Sequence, residues 1–94
     1  MHMDPMEFKF TLGSVYATAQ ADRTLVHEDV TIAIRRHIKG DWGEVCPEDR
    51  DSNELALVAG ARLFSVYRDR NGTKFWIITE ADRSATTVLL PDDY

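Results

Sequence analysis

Apolar residues at every fourth position predict a helix in the first half of the chain. Val26, Val30, Ile34 and Ile38 would form one stripe along a helix running from Thr24 to Ile38. Acidic residues follow its start and basic residues precede its end, an arrangement that the helix dipole favours. The pattern therefore predicts a helix with one buried side.

Two glycines mark predicted helix ends. Gly40 follows the first helix, and Gly60 follows a second helix that begins at Pro47. Proline suits the first position of a helix, and glycine suits the left-handed residue just after one. Both glycines are therefore expected to adopt positive φ.

The remaining regular segments read as strands. Phe8 to Ala19 mixes aromatic, β-branched and small residues, and the last third contains three runs rich in strand-forming residues. These runs are Arg62 to Asp69, Thr73 to Ala81, and Ser84 to Leu90. Together with the helices, they predict an α+β domain over residues 1–94. Two helices would pack on one face of an antiparallel sheet of about four strands, with a C-terminal three-stranded meander.

Asn71-Gly72 predicts a tight hairpin between the first two of these runs. Asn-Gly favours a two-residue type I′ turn, which would pair Tyr67 with Trp76 and Val66 with Ile77. The face expected to form the core is Phe64, Val66, Phe75, Ile77, Val88 and Leu90. The opposite face would carry Leu63, Ser65, Tyr67, Trp76, Ile78, Thr87 and Leu89, and it is too apolar for a simple solvent face.

Size and charge narrow the function classes. The chain has 94 residues, 16 acidic against 11 basic side chains, and a formal net charge of −5. An acidic chain repels a phosphate backbone, so direct nucleic-acid binding is not expected. No apolar run is long enough for a membrane helix, and no signal peptide is apparent. Residues 1–5 are expected to be disordered or foreign to the natural chain.

The single cysteine favours a reducing, cytoplasmic location. Cys46 has no second cysteine with which to form an internal disulfide. It also has no metal-ligand spacing to His27 or His37. We therefore expect neither a metal site nor a cofactor.

Three motifs resemble a family of small bacterial proteins encoded on plasmids and genomic islands. They are Arg36-His37 with Gly40-Asp41-Trp42-Gly43, the run Trp76 to Ser84, and the ending Thr86 to Pro91. Some members are labelled as subunits of type I restriction methylases. This chain has no glycine-rich loop after a strand that could hold a methyl-donor nucleotide. The resemblance implies a protein of a mobile genetic element and supplies no catalytic residues.

The first hypothesis is a non-catalytic binding or regulatory module that contacts a protein. It could inhibit a host DNA-handling or defence system through its acidic surface. Tyr67, Trp76 and Ile78 would form a patch for a partner or for self-association, or would be covered by the first strand segment or the C-terminal tail. The remaining candidates lie in two loops: Trp42 would be presented to a partner or buried, and Asp82 and Arg83 would bind a ligand or form a solvated turn.

The second hypothesis is a small RNA-cleaving toxin. Helices followed by an antiparallel meander are similar in outline to barnase-like ribonucleases. His37 and Glu80 would exchange protons, and Arg83 would stabilise the phosphate. The alternative for His37 is a histidine at a helix C-terminus that interacts with the helix dipole.

Overall fold

The computed structural model describes residues 8–94, so the expectation for residues 1–5 lies outside the described residues. Within residues 8–94 the fold is α+β, as predicted; it has three α-helices, where two were expected, and a four-stranded sheet. The strands are β1 (Ser14–Ala17), β2 (Leu63–Arg68), β3 (Lys74–Thr79) and β4 (Ala85–Leu89). The helices are α1 (Ala19–Thr24), α2 (His27–Ile38) and α3 (Pro47–Ala59), and a short 3₁₀ turn spans Pro91–Asp93.

The predicted helix from Thr24 is wrong at its start. Thr24 ends α1, which is capped by Thr18, whose Oγ1 accepts the Ala21 N–H at 3.1 Å. Leu25 is then extended, with ψ of 151°, and its side chain is buried. The Val26 N–H donates to Asp69 Oδ2 at 3.2 Å. A tertiary contact and a buried leucine therefore separate α1 from α2, and the apolar stripe begins at Val26, the N-cap of α2.

The helix ends agree with the predictions. Gly40 follows the C-cap of α2 with φ of 82°, and Gly60 caps α3 with φ of 74°. Pro47 is the first residue of α3, as expected. These boundaries depend on local backbone preferences, which sequence reports directly.

The sheet is mixed rather than antiparallel. Its strand order is β1-β4-β3-β2, and β1 runs parallel to β4. The three C-terminal strands form the expected antiparallel meander. Because β1 and β4 lie far apart in sequence, no local signal specifies this pairing.

The hairpin register is shifted by one residue from the prediction. Tyr67 pairs with Phe75, and Val66 pairs with Trp76. The same one-residue shift makes every predicted pair wrong. The predicted pairs were Arg70 with Thr73, Asp69 with Lys74, Tyr67 with Trp76, Val66 with Ile77, and Phe64 with Thr79.

The cause of the shift is the Asp69 carboxylate. Its Oδ1 accepts the N–H groups of Asn71 and Thr73, both at 3.0 Å. The Asp69 N–H in turn donates to the Thr73 carbonyl. A three-residue loop results, in which only Gly72 has a positive φ, so the type I′ turn does not form.

A one-residue shift exchanges the faces of β2. Leu63, Ser65 and Tyr67 lie on the core face, whereas Phe64 and Val66 lie on the opposite face. The other expected core residues are buried in or against the main core as predicted; they are Phe75, Ile77, Val88 and Leu90. Phe64 and Ile77 are therefore on different faces, so the predicted core list and the predicted patch are both wrong in part.

The outer edge of β2 is covered by the chain itself. The Asn53 side chain on α3 donates to the Phe64 carbonyl at 2.7 Å and accepts the Phe64 N–H at 3.0 Å. The Val66 N–H donates to the Trp42 carbonyl, and the Glu44 N–H donates to the Val66 carbonyl. Thus α3 and the loop before it cap one edge of the sheet, while α1 and α2 pack on its core face.

Candidate functional site: the sheet edge of β1

His37 lies inside the protein, 0% exposed, between α2 and the sheet. Its Nδ1 is 2.6 Å from Ser65 Oγ, and its Nε2 is 2.9 Å from Thr79 Oγ1. The rings of Phe10 and Trp42 lie edge-on to the imidazole at 5.1 and 5.7 Å between centroids. Burial, and secondarily the charge of Arg83, lowers the pKa of His37 to about 3.

The hydrogen bonds around His37 have one consistent direction. Thr86 Oγ1 donates to the Leu12 carbonyl at 2.7 Å, so its own oxygen must accept from Thr79 at 2.7 Å. The Thr79 oxygen then accepts from Nε2–H of His37, and Nδ1 accepts from the Ser65 hydroxyl. Both ring nitrogens of the neutral imidazole are therefore occupied within the core.

Arg83 is also occupied by the chain. Its guanidinium donates to the carbonyls of Ala61 at 2.6 Å, Glu80 at 3.1 Å and Ala56 at 3.1 Å. It lies over the Phe10 ring, with Cζ 5.8 Å from the centroid. Among residues 8–94, Arg83 is the one non-glycine residue with positive φ, at 61°. This geometry fixes the end of α3 against the β3–β4 turn.

Glu80 is directed elsewhere. Its carboxylate forms a 3.5 Å ion pair with Arg62, which also donates to the Tyr94 hydroxyl, whereas the His37 side chain is fully buried. Arg83 lies over the face of the Phe10 ring, and His37 packs edge-on against the same ring. The structure thus does not assemble His37, Glu80 and Arg83 into one site, and the RNA-cleaving hypothesis receives no geometric support.

Two further predicted site residues are buried. Trp42 is 3% exposed, and its Nε1–H donates to Glu54 Oε2 at 2.8 Å. Tyr67 is 2% exposed, and its hydroxyl donates to the Asp41 carbonyl at 2.6 Å. Burial raises the pKa of Tyr67 above its ordinary value. Neither ring is available to a partner.

Asp82 makes a local turn. Its Oδ1 accepts the Ser84 N–H at 3.0 Å, and hydrogen bonds from Ser84 lower the pKa of its carboxyl. This is the side-chain turn that short polar residues commonly form. Asp82 and Arg83 therefore both have a structural use here.

Trp76 and Ile78 lie on the opposite face of the sheet from Tyr67. Trp76 is half-buried between Phe64 and Tyr94, with ring centroids 5.1 and 5.6 Å away. A shallow cavity of about 320 Å³ lies beside them, and Arg62 and Asp49 also line it. The C-terminal residues thus partly cover this face.

The strand β1 forms the second edge of the sheet, and no segment of residues 8–94 pairs with its outer side. All four residues, Ser14 to Ala17, are exposed, with Val15 at 47% and Tyr16 at 57%. The Ser14 N–H donates to the Ser84 carbonyl just before β4, and the Thr18 N–H donates to the Val88 carbonyl in β4, each at 3.0 Å. Strand alternation therefore directs the backbone groups of Val15 and Ala17 outward, where they have no hydrogen-bond partner within residues 8–94.

An apolar groove adjoins this edge on the core face. It has a volume of about 190 Å³ and lies between α1, α2 and the β1–β4 pair. Its apolar walls are Ala17, Ala21, Leu25, Val30 and Val88, and Asp22, His27 and Thr31 complete it. Sequence reasoning missed this site, because the pairing of β1 is not visible in the sequence.

Other kinds of site are not found in the described part of the chain. Residues 8–94 contain no cluster of three or more His, Cys, Asp or Glu side chains that could hold a metal ion. No helix in that range is long and apolar enough to span a membrane. Comparisons with protein-family models, curated proteins and solved structures gave no match.

Proposed function

We propose that this protein is a non-catalytic protein-binding module, and that β1 accepts an extended segment of its partner. The observation that carries this proposal is the contrast between the two edges of the sheet. The β2 edge is capped by Asn53 and by the loop at Trp42 to Glu44, whereas the β1 edge has no such cover within residues 8–94.

An open edge is a template for another strand. Unpaired N–H and C=O groups give affinity through main-chain hydrogen bonds, and pockets beside the edge select alternate side chains. Both elements are present: the outward groups of Val15 and Ala17, and the groove lined by Ala17, Leu25 and Val88. An aliphatic side chain from an added strand would suit this groove, and Tyr16 would contact the other face of that strand.

The finer expectation is a regulatory module of a bacterial mobile element that inhibits a host DNA-handling or defence system. It rests on the resemblance of the motifs at Arg36 to Gly43 and Trp76 to Ser84 and on the net charge of −5. Within the predicted patch, Trp76 would then be a secondary contact beside Tyr94, whereas Ile78 is buried. The genes adjacent to this one, and a pull-down followed by an assay of the recovered system, would test this expectation.

Site-specific photocrosslinking tests the binding proposal. A benzophenone amino acid replaces Tyr16 in one variant and Val58, an 87% exposed residue of α3, in the matched control. We expect a defined crosslinked protein from position 16 that is absent from position 58. Adding Val15→Pro should abolish the product, because proline removes an outward N–H and blocks pairing at an edge. Equal products from both positions, or products insensitive to Val15→Pro, would contradict the proposal.

A further inference from the structure

We propose that β1 pairs with β1 of a second copy, forming a two-fold symmetric dimer with one continuous eight-stranded sheet. This inference rests on the proposed function, since it names the partner of the same edge. It follows from three properties of Ser14–Ala17: the direction of its backbone groups, its lack of charge, and the groove beside Ala17.

The backbone groups fix the register. Antiparallel strands exchange two hydrogen bonds wherever two outward-directed residues lie opposite each other. Val15 and Ala17 are the two such residues of β1, so the register that opposes Val15 of one copy to Ala17 of the other makes four bonds. Registers centred on Val15 or on Ala17 would oppose a single such pair within the strand.

This register places Tyr16 of one copy directly opposite Tyr16 of the other. The pair would be of the non-hydrogen-bonded type, in which side chains approach most closely, and aromatic pairs are favourable there. Tyr16 is 57% exposed in the single chain, so the pairing would cover part of an aromatic ring that is otherwise in contact with water. The two-fold axis would pass between the two tyrosines.

The same register fills the groove. Val15 shares the core face with Ala17 and Val88, as the β1–β4 register requires. Opposite Ala17, the Val15 side chain of the second copy would lie at the mouth of the 190 Å³ groove. One strand thus supplies both the apolar side chain and the wall that receives it, which is the self-complementarity that a two-fold interface needs.

The composition of β1 favours a second copy over a charged partner. Exposed edges are usually protected by Lys, Pro or an inward charge, and Ser14, Val15, Tyr16 and Ala17 include none of these. A strand without charge meets no repulsion from its own copy, even though the whole chain is acidic. Because four residues bury little area, the dimer should be weak and concentration-dependent.

Sedimentation equilibrium and engineered disulfides test the dimer together. The wild type should move from 10.7 kDa toward twice that mass as its concentration rises to roughly millimolar, a regime suited to weak association. Val15→Lys should remain monomeric, and Val58→Lys, a charge on an exposed site of α3, should behave as wild type.

The register is tested in the Cys46→Ser background, since Cys46 is free and exposed. Tyr16→Cys should form an intermolecular disulfide, because paired Cα atoms about 4.5 Å apart lie within disulfide reach. Ser14→Cys is the control: its two copies would lie about 13 Å apart along the strands and should not crosslink. Equal crosslinking at both positions would overturn the register.

A wild type that stays monomeric at every concentration would overturn the dimer. If a different protein is still crosslinked from position 16 in a Val15→Pro-sensitive manner, the edge-binding function stands with another occupant. If no protein is crosslinked in that manner, the proposed function fails as well. The two failures are therefore distinguishable.

Discussion

The Ser65 hydroxyl donates a 2.6 Å hydrogen bond to Nδ1 of His37 inside the core, so this histidine is neutral and structural. A polar group is tolerated at that depth because each of its hydrogen-bonding atoms has a partner. Protonation of His37 would add an N–H at Nδ1, the atom to which the Ser65 hydroxyl already donates. The histidine that looked most suitable for catalysis thus contributes to the stability of the sheet and α2.

We predict that the free energy of unfolding decreases as the pH is lowered below 6.5. The folded pKa of His37, about 3, is below its ordinary value of 6.5, so the unfolded chain takes up this proton first. Its contribution is complete above pH 6.5 and decreases by up to about 1.4 kcal/mol per pH unit until about pH 3. Denaturant titrations at pH 7.5, 5.5 and 4.5 measure this slope.

The matched controls are His37→Gln and His27→Gln. His27 is exposed, and His27→Gln serves as the surface histidine for comparison. His37→Gln should reduce the slope between pH 6.5 and 4.5, although it also lowers stability at pH 7.5. A slope that is the same in all three proteins would show that His37 is not buried and neutral.

The tautomer of His37 is a separate prediction. The direction of the Thr79–Thr86–Leu12 hydrogen bonds requires the proton on Nε2. Long-range ¹⁵N–¹H correlation spectra at pH 7 should therefore show Nε2 protonated and Nδ1 unprotonated. The opposite pattern would mean that the hydroxyl chain runs in the other direction.

Asn53 should be among the residues most sensitive to substitution. Its side chain replaces a neighbouring strand by bonding both backbone groups of Phe64, and it is 2% exposed. Asn53→Ala leaves these groups without partners and should lower the unfolding free energy by about 2–3 kcal/mol. Ser52→Ala, next to it on the exposed side of α3, should change it by less than about 0.5 kcal/mol in the same denaturant experiment. Similar values for the two variants would contradict the capping of the β2 edge.

The sequence predicted those parts of the fold that depend on local preferences. Pro47, Gly40 and Gly60 mark helix boundaries because their own backbone geometry is restricted or permissive. The prediction failed where distant groups intervene. The Asp69 carboxylate accepts hydrogen bonds from N–H groups of the hairpin loop and from the Val26 N–H. A single side chain therefore both shifts the register and helps to separate α1 from α2.

The burial of His37 and the open edge of β1 were both missed for a related reason. Four-residue spacing of Val30 and Ile34 located the buried side of α2, but the fully buried positions are Ala33 and His37, one step round the helix. That rotation places the imidazole among Ser65 and Thr79 rather than at a surface. The open edge of β1 depends on a parallel pairing across most of the chain, for which sequence offers no short-range pattern.

Gly43 and Gly60 form a matched pair of glycine positions. Their φ values are 73° and 74°, but a Cβ on Gly43 would lie 2.0 Å from the Val66 carbonyl oxygen, whereas that on Gly60 meets nothing within 4 Å. Gly60→Ala should cost about 1 kcal/mol of stability, from the backbone alone. Gly43→Ala should cost at least about 2 kcal/mol more, because the loop must move away from β2. Equal losses in thermal unfolding would mean that Gly43 does not approach Val66 this closely.

The last prediction separates a structural arginine from a surface one. Arg83 donates to carbonyls on α3 and in the turn after β3, whereas Arg62 makes a 3.5 Å ion pair with Glu80 at the surface. Arg83→Met leaves the carbonyls of Ala56 and Ala61 without that donor and should lower the unfolding free energy by about 2 kcal/mol. Arg62→Met should change it by less than about 1 kcal/mol, since exposed ion pairs contribute little. Arg83→Lys retains the charge but cannot reach several carbonyls at once, so it should resemble Arg83→Met in denaturant titrations. If the lysine variant is as stable as wild type, charge alone suffices there, and the guanidinium is free to bind another group.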